Sequence, residues 1–267
     1  MTHKVEMQKT EARKNLYQVQ SVERAIGILK AICASHFDMG ITELSRELNL
    51  SKSTVHRLIT TLEAHGFVQQ VSNSGKYRPG WKLFEIAQEV PRRMGLDSTA
   101  KTYLQKLCQE TGETAILAIL DGTETIYIDK VETNHILKME IKIGSRLPAY
   151  CTALGKALLC ELSAEELEEL YRGKEFKQYT INTISSLEQL RQELENVRIR
   201  QYAIDDEELS IGFRCVGAPV RDVSGRIIAA ISIAGPSCRL TKTRLMEVYP
   251  TVMSIASELS AALGYQK

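Results

Sequence analysis

The chain has 267 residues, of which 43% are hydrophobic and 25% charged, with a formal net charge of +1. Such a composition builds a core and excludes a chain disordered throughout. No apolar run approaches the ~20 residues of a membrane-spanning helix, and the N-terminal MTHKVEMQKTEARKN lacks the apolar segment of a secretory leader. A cytoplasmic protein is expected, with residues 1–18 as a mobile arm.

The charge is unevenly spread. Residues 1–80 hold 11 Lys/Arg against 7 Asp/Glu, and residues 81–267 hold 23 against 26. A mildly basic head on a mildly acidic body fits a nucleic-acid-binding domain carried by a separate one.

In chain order, Ser21 is placed to cap a helix whose Val22, Ala25, Ile26, Leu29 and Ile32 share one face. Thr42 then caps a short helix with Leu44 and Leu48 inward. Asn49-Leu50 turns, and Ser51 caps a further helix that ends at Gly66. Residues 67–71 alternate like a strand, residues 72–75 turn, and Lys76-Tyr77-Arg78 returns. Three helices and such a hairpin make a winged helix-turn-helix over residues 19–80. Residues 81–97 read as a linker helix that Pro91 interrupts or kinks.

Residues 98–267 read as an α+β body with a largely antiparallel sheet. A helix over 98–111 precedes strands at 115–120 and 124–130, joined by an Asp121-Gly122 turn, and a further strand at 136–143. A helix over 153–162 follows. Capping boxes at Ser163 to Glu166 and Ser186 to Gln189 open two more. Strands return at 202–205, 215–222 and 227–234, and residues 241–263 close the chain as an amphipathic helix.

On the helix opened by Ser51, Val55, Leu58, Ile59 and Leu62 form the i, i+3, i+4, i+7 stripe that faces the core. Ser53, Arg57 and Thr60 then point outward, flanked by Thr54, His56 and Thr61. No acidic residue lies between Glu47 and Glu63, as a helix entering the major groove of double-stranded DNA requires. Ser51, Lys52 and the first-turn amides are placed to hold a phosphate. Arg57 reaches for a guanine edge, and Lys76 and Arg78 of the wing for the DNA backbone or minor groove. The bland alternative is a helical hairpin with a solvated polar face.

Four blocks carry a resemblance to the IclR family of bacterial transcription regulators: ITELSRELNLSKSTVHRLITTLEAHGFV, RLPAYCTALGKALL, DDEELSIGFRCVGAPV and AAISIAGP. The likeness spans residues 19–265. It implies a GAF-like effector domain and dimerisation through the head and linker helix, often with tetramers through the effector domains. It also implies control by a small carboxylate or aromatic acid. No cofactor or metal is expected. Repression of a catabolic operon is expected rather than activation.

The resemblance carries the effector site onto Ala153, Leu154, Asp205, Cys215 and Ser232. Physically, Ala153-Leu154 opens a helix whose free amides favour an anion, and Ile136, Leu147 and Phe213 supply an apolar wall. Ala234 stands where a second serine would bind a small keto acid, and Leu154 where an alanine is found. Both weigh against glyoxylate or pyruvate and leave a sugar-derived keto acid or an aromatic acid. Against this, Asp205-Asp206-Glu207-Glu208 reads equally as a solvated acidic turn, Cys215 as a small core residue, and Ser232 as bonded to backbone.

Two other functions compete. An enzyme with Cys151 or Cys215 as nucleophile needs a general base, yet of the histidines at 3, 36, 56, 65 and 135 only His135 lies in the body. A metal or redox sensor would use the cysteines at 33, 108, 151, 160, 215 and 238, which show no C-x-x-C spacing.

Overall fold

The structure is a computed structural model, described over residues 19–93, 95–96 and 98–266. The expected arm at residues 1–18 lies outside these residues. The chain divides into two compact units, the first ending at Val90 and the second beginning at Pro91.

The first unit holds α1 (Gln20–Ala34), β1 (Met39–Gly40), α2 (Ile41–Glu47), α3 (Lys52–Ala64), β2 (Val68–Gln70), β3 (Lys76–Pro79) and the start of α4 (Trp81–Arg93). Ile28 and Ile32 of α1, Leu44 of α2, and Val55 and Ile59 of α3 interlock with Val68 and Tyr77 of the wing. Each such aliphatic side chain contributes roughly 1.5–3 kcal/mol by leaving water. The wing is a three-stranded sheet ordered β1-β3-β2, all antiparallel.

The helix starts differ from expectation. Val19, not Ser21, precedes α1, and Gly40, not Thr42, precedes α2. The Glu43 carboxylate reaches back to accept the Gly40 N–H at 2.7 Å. Gly66 takes φ +74° just past α3, with Gly66 N–H bonded to Glu63 O and Phe67 N–H to Leu62 O. That is the glycine-terminated helix end the sequence signals. Pro91 does not end α4, which runs on to Arg93.

The second unit is built on a six-stranded antiparallel sheet ordered β6-β5-β4-β9-β8-β7. Its strands are β4 (Thr114–Asp121), β5 (Glu124–Val131), β6 (Arg146–Pro148), β7 (Ala203–Asp206), β8 (Phe213–Arg221) and β9 (Ile227–Pro236). The long helices α5 (Ser98–Thr111) and α9 (Lys242–Ala262) cover one face. The other carries α6 (Ala153–Leu159), α7 (Ala164–Tyr171) and α8 (Leu187–Arg200).

Period-two alternation sorts the two faces. Leu117, Val216, Ile231 and Ile233 pack with α5 and α9, while Ile116, Ala118, Ala230 and Ala234 turn toward α6. The α6 face is therefore floored by small residues, and every residue of α6 is buried. Gly155 makes this possible, because a Cβ there would lie 2.2 Å from Ala149 O.

The strand expected over 136–143 does not form; the segment is loop, and cationic side chains reach two of its carbonyls. Arg239 donates to Leu137 O at 3.1 Å and Lys130 Nζ to Ile141 O. The helix at Ser186 has half the expected box: the Ser186 hydroxyl accepts Gln189 N–H, but the Gln189 amide oxygen accepts from Ser185 instead.

Candidate DNA interface and effector site

Helix α3 starts on a tight hydroxyl cluster. Ser51 Oγ accepts the Thr54 N–H at 3.2 Å and shares hydrogen bonds with Ser53 Oγ (2.9 Å) and Thr54 Oγ1 (2.8 Å). Ser51 is thus the cap, and its hydroxyl is engaged there. Val55 and Ile59 are fully buried, whereas Lys52, Ser53, His56, Arg57 and Thr60 are exposed and Thr54 half-buried. Thr60 and Thr61 turn their hydroxyl protons onto His56 O and Arg57 O of their own helix. The longest outward reach belongs to Lys52, His56 and Arg57.

Arg57, Thr54, Leu58 and Thr61 face Ser21 and Arg24 of α1 across a groove of about 250 Å³. Arg24 escaped the sequence reading, which followed only the apolar face of α1. On the wing, Arg78 donates to Asp38 at 3.1 Å and Lys76 stands 3.9 Å from Glu43. Both pairs are half-exposed, worth at most about 1 kcal/mol, so a phosphate can compete for either cation.

In the body, β7 and β8 place Asp205 opposite Cys215, β9 places Ala234 opposite Cys215 and Ser232 opposite Gly217, and β4 pairs Ala118 with Tyr127 of β5. A Cβ on Gly217 would lie 3.2 Å from Ser232 Cβ and 3.3 Å from Ala153 C. The first residue of α6 therefore rests directly on this floor. The Ala153 and Leu154 amides and the Ser232 hydroxyl make no hydrogen bond among the described residues. The backbone bond weighed as the alternative role for Ser232 is not found among the described residues. Leu147 packs against the same core and Phe213 shares the Cys215 face. Ile136 is fully exposed and gives no wall, because the strand meant to carry it is absent.

The acidic turn is not a solvated one. Asp206 and Glu207 are held by Arg214 at 2.6 and 2.7 Å, while Asp205 and Glu208 are buried. Asp205 accepts the Glu208 N–H at 2.7 Å. The Glu208 carboxylate pairs with Lys156 of α6, itself 1% exposed. Thr180 and Thr183 pin the Glu208 carbonyl at 3.2 and 2.6 Å. Burial, then the charge of Glu208, pushes the Asp205 carboxyl up to about 7. Burial also raises Glu208, and lifts the Cys151 thiol to about 12 and that of Cys215 well above its usual range. Thiols so protonated are poor nucleophiles, and His135 is exposed on the loop after β5. Among the described residues no group of three or more His, Cys, Asp or Glu is placed to hold a metal ion.

Lys156, Glu208, Tyr127 and Cys151 cluster with Asp205, and the sequence reading had not assigned them there. A lysine inside the apolar run ALGKALL was the available signal, since a cation in a buried helix requires a buried acid.

The family model described as IclR helix-turn-helix domain matches residues 21–72, and that of the bacterial transcriptional regulator IclR C-terminal matches residues 88–261. The HTH-type transcriptional regulator XynR of Escherichia coli is 38% identical over 92% of this chain and 98% of its own. The transcriptional repressor IclR of the same organism is 36% identical over 92% and 91%. The crystal structure of Thermotoga maritima IclR superposes with a TM-score of 0.79 at 35% identity, covering 93% of this chain and all of that one.

A winged helix-turn-helix head and an antiparallel α+β body thus define a DNA-binding transcriptional regulator with an effector domain. The chain belongs to the IclR family.

Proposed function

We propose that this chain represses a catabolic operon and that a small organic acid, bound in the body, relieves the repression. One observation carries the acid reading. Glu208 Oε2 is buried beside Asp205 with no protein partner among the described residues, the buried Tyr127 faces Asp205 and the buried Ser232 lies against the start of α6, and buried polar groups are rarely left unpartnered without a ligand or water. The buried Leu154 and Ala234 favour a sugar-derived or aromatic acid over glyoxylate or pyruvate. Relatives described as the transcriptional repressor IclR and, in Salmonella typhimurium, the acetate operon repressor support repression.

Lys52, Ser53, Thr54, His56, Arg57 and Thr60 form the reading helix, with Ser51 as its cap and Lys76 and Arg78 as wing contacts. Among the described residues no helix is long and apolar enough to cross a membrane, in keeping with a cytoplasmic regulator. Exposed apolar residues at the start of α1 (Val19 before it, then Val22 and Ile26) and on α4 (Trp81, Phe84, Val90) support self-association through head and linker, as a dimer or dimer of dimers on a pseudo-palindromic site. A mobility-shift assay with DNA flanking the chain's own gene tests this. The expected result is a sequence-dependent, salt-sensitive shift weakened by one of a panel of acids. Absence of any such shift, with or without acids, rejects the proposal.

A further inference from the structure

The buried ionic cluster beside α6 holds more carboxylates than cations. Lys156 is bound to Glu208 and stands 3.8 Å from Glu193 of α8, which pairs in turn with Arg200 at 2.7 Å. Asp205, 4% exposed, has no cation of its own. It is faced by Lys156 from α6, Glu208 from the loop after β7, Cys215 from β8, Tyr127 from β5 and Cys151 from the turn before α6. Lys156 is the one cation among these. The other basic groups near β7, Arg214 and Lys242, are taken up by Asp206 and Glu207. Independently, Glu208 Oε2 is buried without a partner, on a side chain nine-tenths buried. The cluster is a donor short before any ligand arrives.

An organic acid entering this site adds a further carboxylate to a region of low dielectric already in negative excess, where like charges disfavour each other's ionised forms. Resting on the reading of this domain as an acid sensor, we propose that the site takes a monoanionic organic acid together with one proton. The proton comes from solvent and resides on Asp205, whose carboxyl donates a hydrogen bond to the bound carboxylate while Ser232 donates a second. The Asp205 carboxyl, raised to about 7 by burial, can exchange that proton near neutrality.

Two measurements on the full chain test this. Infrared difference spectra of wild type against Asp205→Asn, in the absence of ligand, should show one carboxyl deprotonating near pH 7. A carboxyl already ionised at pH 5 overturns the proposal. Calorimetric titration with gluconate, benzoate and pyruvate at pH 8, in phosphate and in Tris, should then show uptake of about one proton with any acid that binds. Affinity should fall about tenfold per pH unit above 7, and both effects should vanish in Asp205→Asn. Binding without proton uptake overturns this proposal and leaves the acid sensor standing. No binding by any acid, with Asp205 titrating near 7, rejects the acid sensor and the proposal with it.

Discussion

Asp205 illustrates how one residue can be legible as important and illegible in its chemistry. The sequence marks an acidic run at the end of a strand. Only the fold separates its four members, sending Asp206 and Glu207 to Arg214 and burying Asp205 and Glu208. Asp205 stands well above the ordinary carboxylate range, so its native form holds a proton that the unfolded chain has lost. Stability from this group is full below about pH 4 and is lost as pH rises through about 7. Asp205→Asn keeps the acceptor for the Glu208 N–H. We therefore expect its melting temperature to match wild type near pH 4.5 and to exceed it by several degrees at pH 8, in scanning calorimetry across that range. An unchanging difference would place the Asp205 proton elsewhere. At the DNA end, Arg57→Ala should lower discrimination between the preferred site and single-base variants by about 5- to 150-fold, the worth of one bidentate base contact. Lys52→Ala should instead weaken all sequences alike and reduce the salt slope by about one. Competition binding by fluorescence anisotropy separates the two patterns. Equal loss on every sequence with Arg57→Ala would reassign that side chain to the backbone.

Among the elements, those whose burial pattern is local were readable. The apolar stripe of α3, the Ser51 cap, the Gly66 terminus and the β4–β5 hairpin all follow from a few adjacent residues. Residues 136–143 were not: their alternation suggests a strand, but the segment runs as a loop whose Leu137 and Ile141 carbonyls accept from Arg239 and Lys130 side chains. Helix α6 was foreseen as a helix, but its complete burial depends on small residues contributed by four strands, which no local window contains. Gly155 is the point where that packing is tightest. Alanine in place of glycine favours a helix by about 1 kcal/mol, yet the added Cβ would sit 2.2 Å from Ala149 O. Backbone must move, and overpacking costs typically 1–3 kcal/mol or more. Gly155→Ala should therefore destabilise the protein in a denaturant melt. A gain in stability would contradict the close approach of α6 to the turn before it.

For the molecule as a whole, the four sequence blocks and both family matches agree on a regulator with a DNA-reading head and an effector body. The effector's identity was thinner in the sequence because the proposed site draws on β5, β7, β8, β9 and α6, elements far apart in the chain. Its ionic half, Lys156 with Glu208, joins positions 52 residues apart. We propose that α3 reads sequence for a paired set of heads. Selection from a random double-stranded DNA pool by the full-length chain should then enrich an inverted repeat with half-sites about one helical turn, 34–36 Å, or a multiple of it apart. In the same selection, Arg57→Ala should lose enrichment at one symmetric position. Recovery of no common sequence by wild type, or of a single half-site with no symmetric partner, would contradict it.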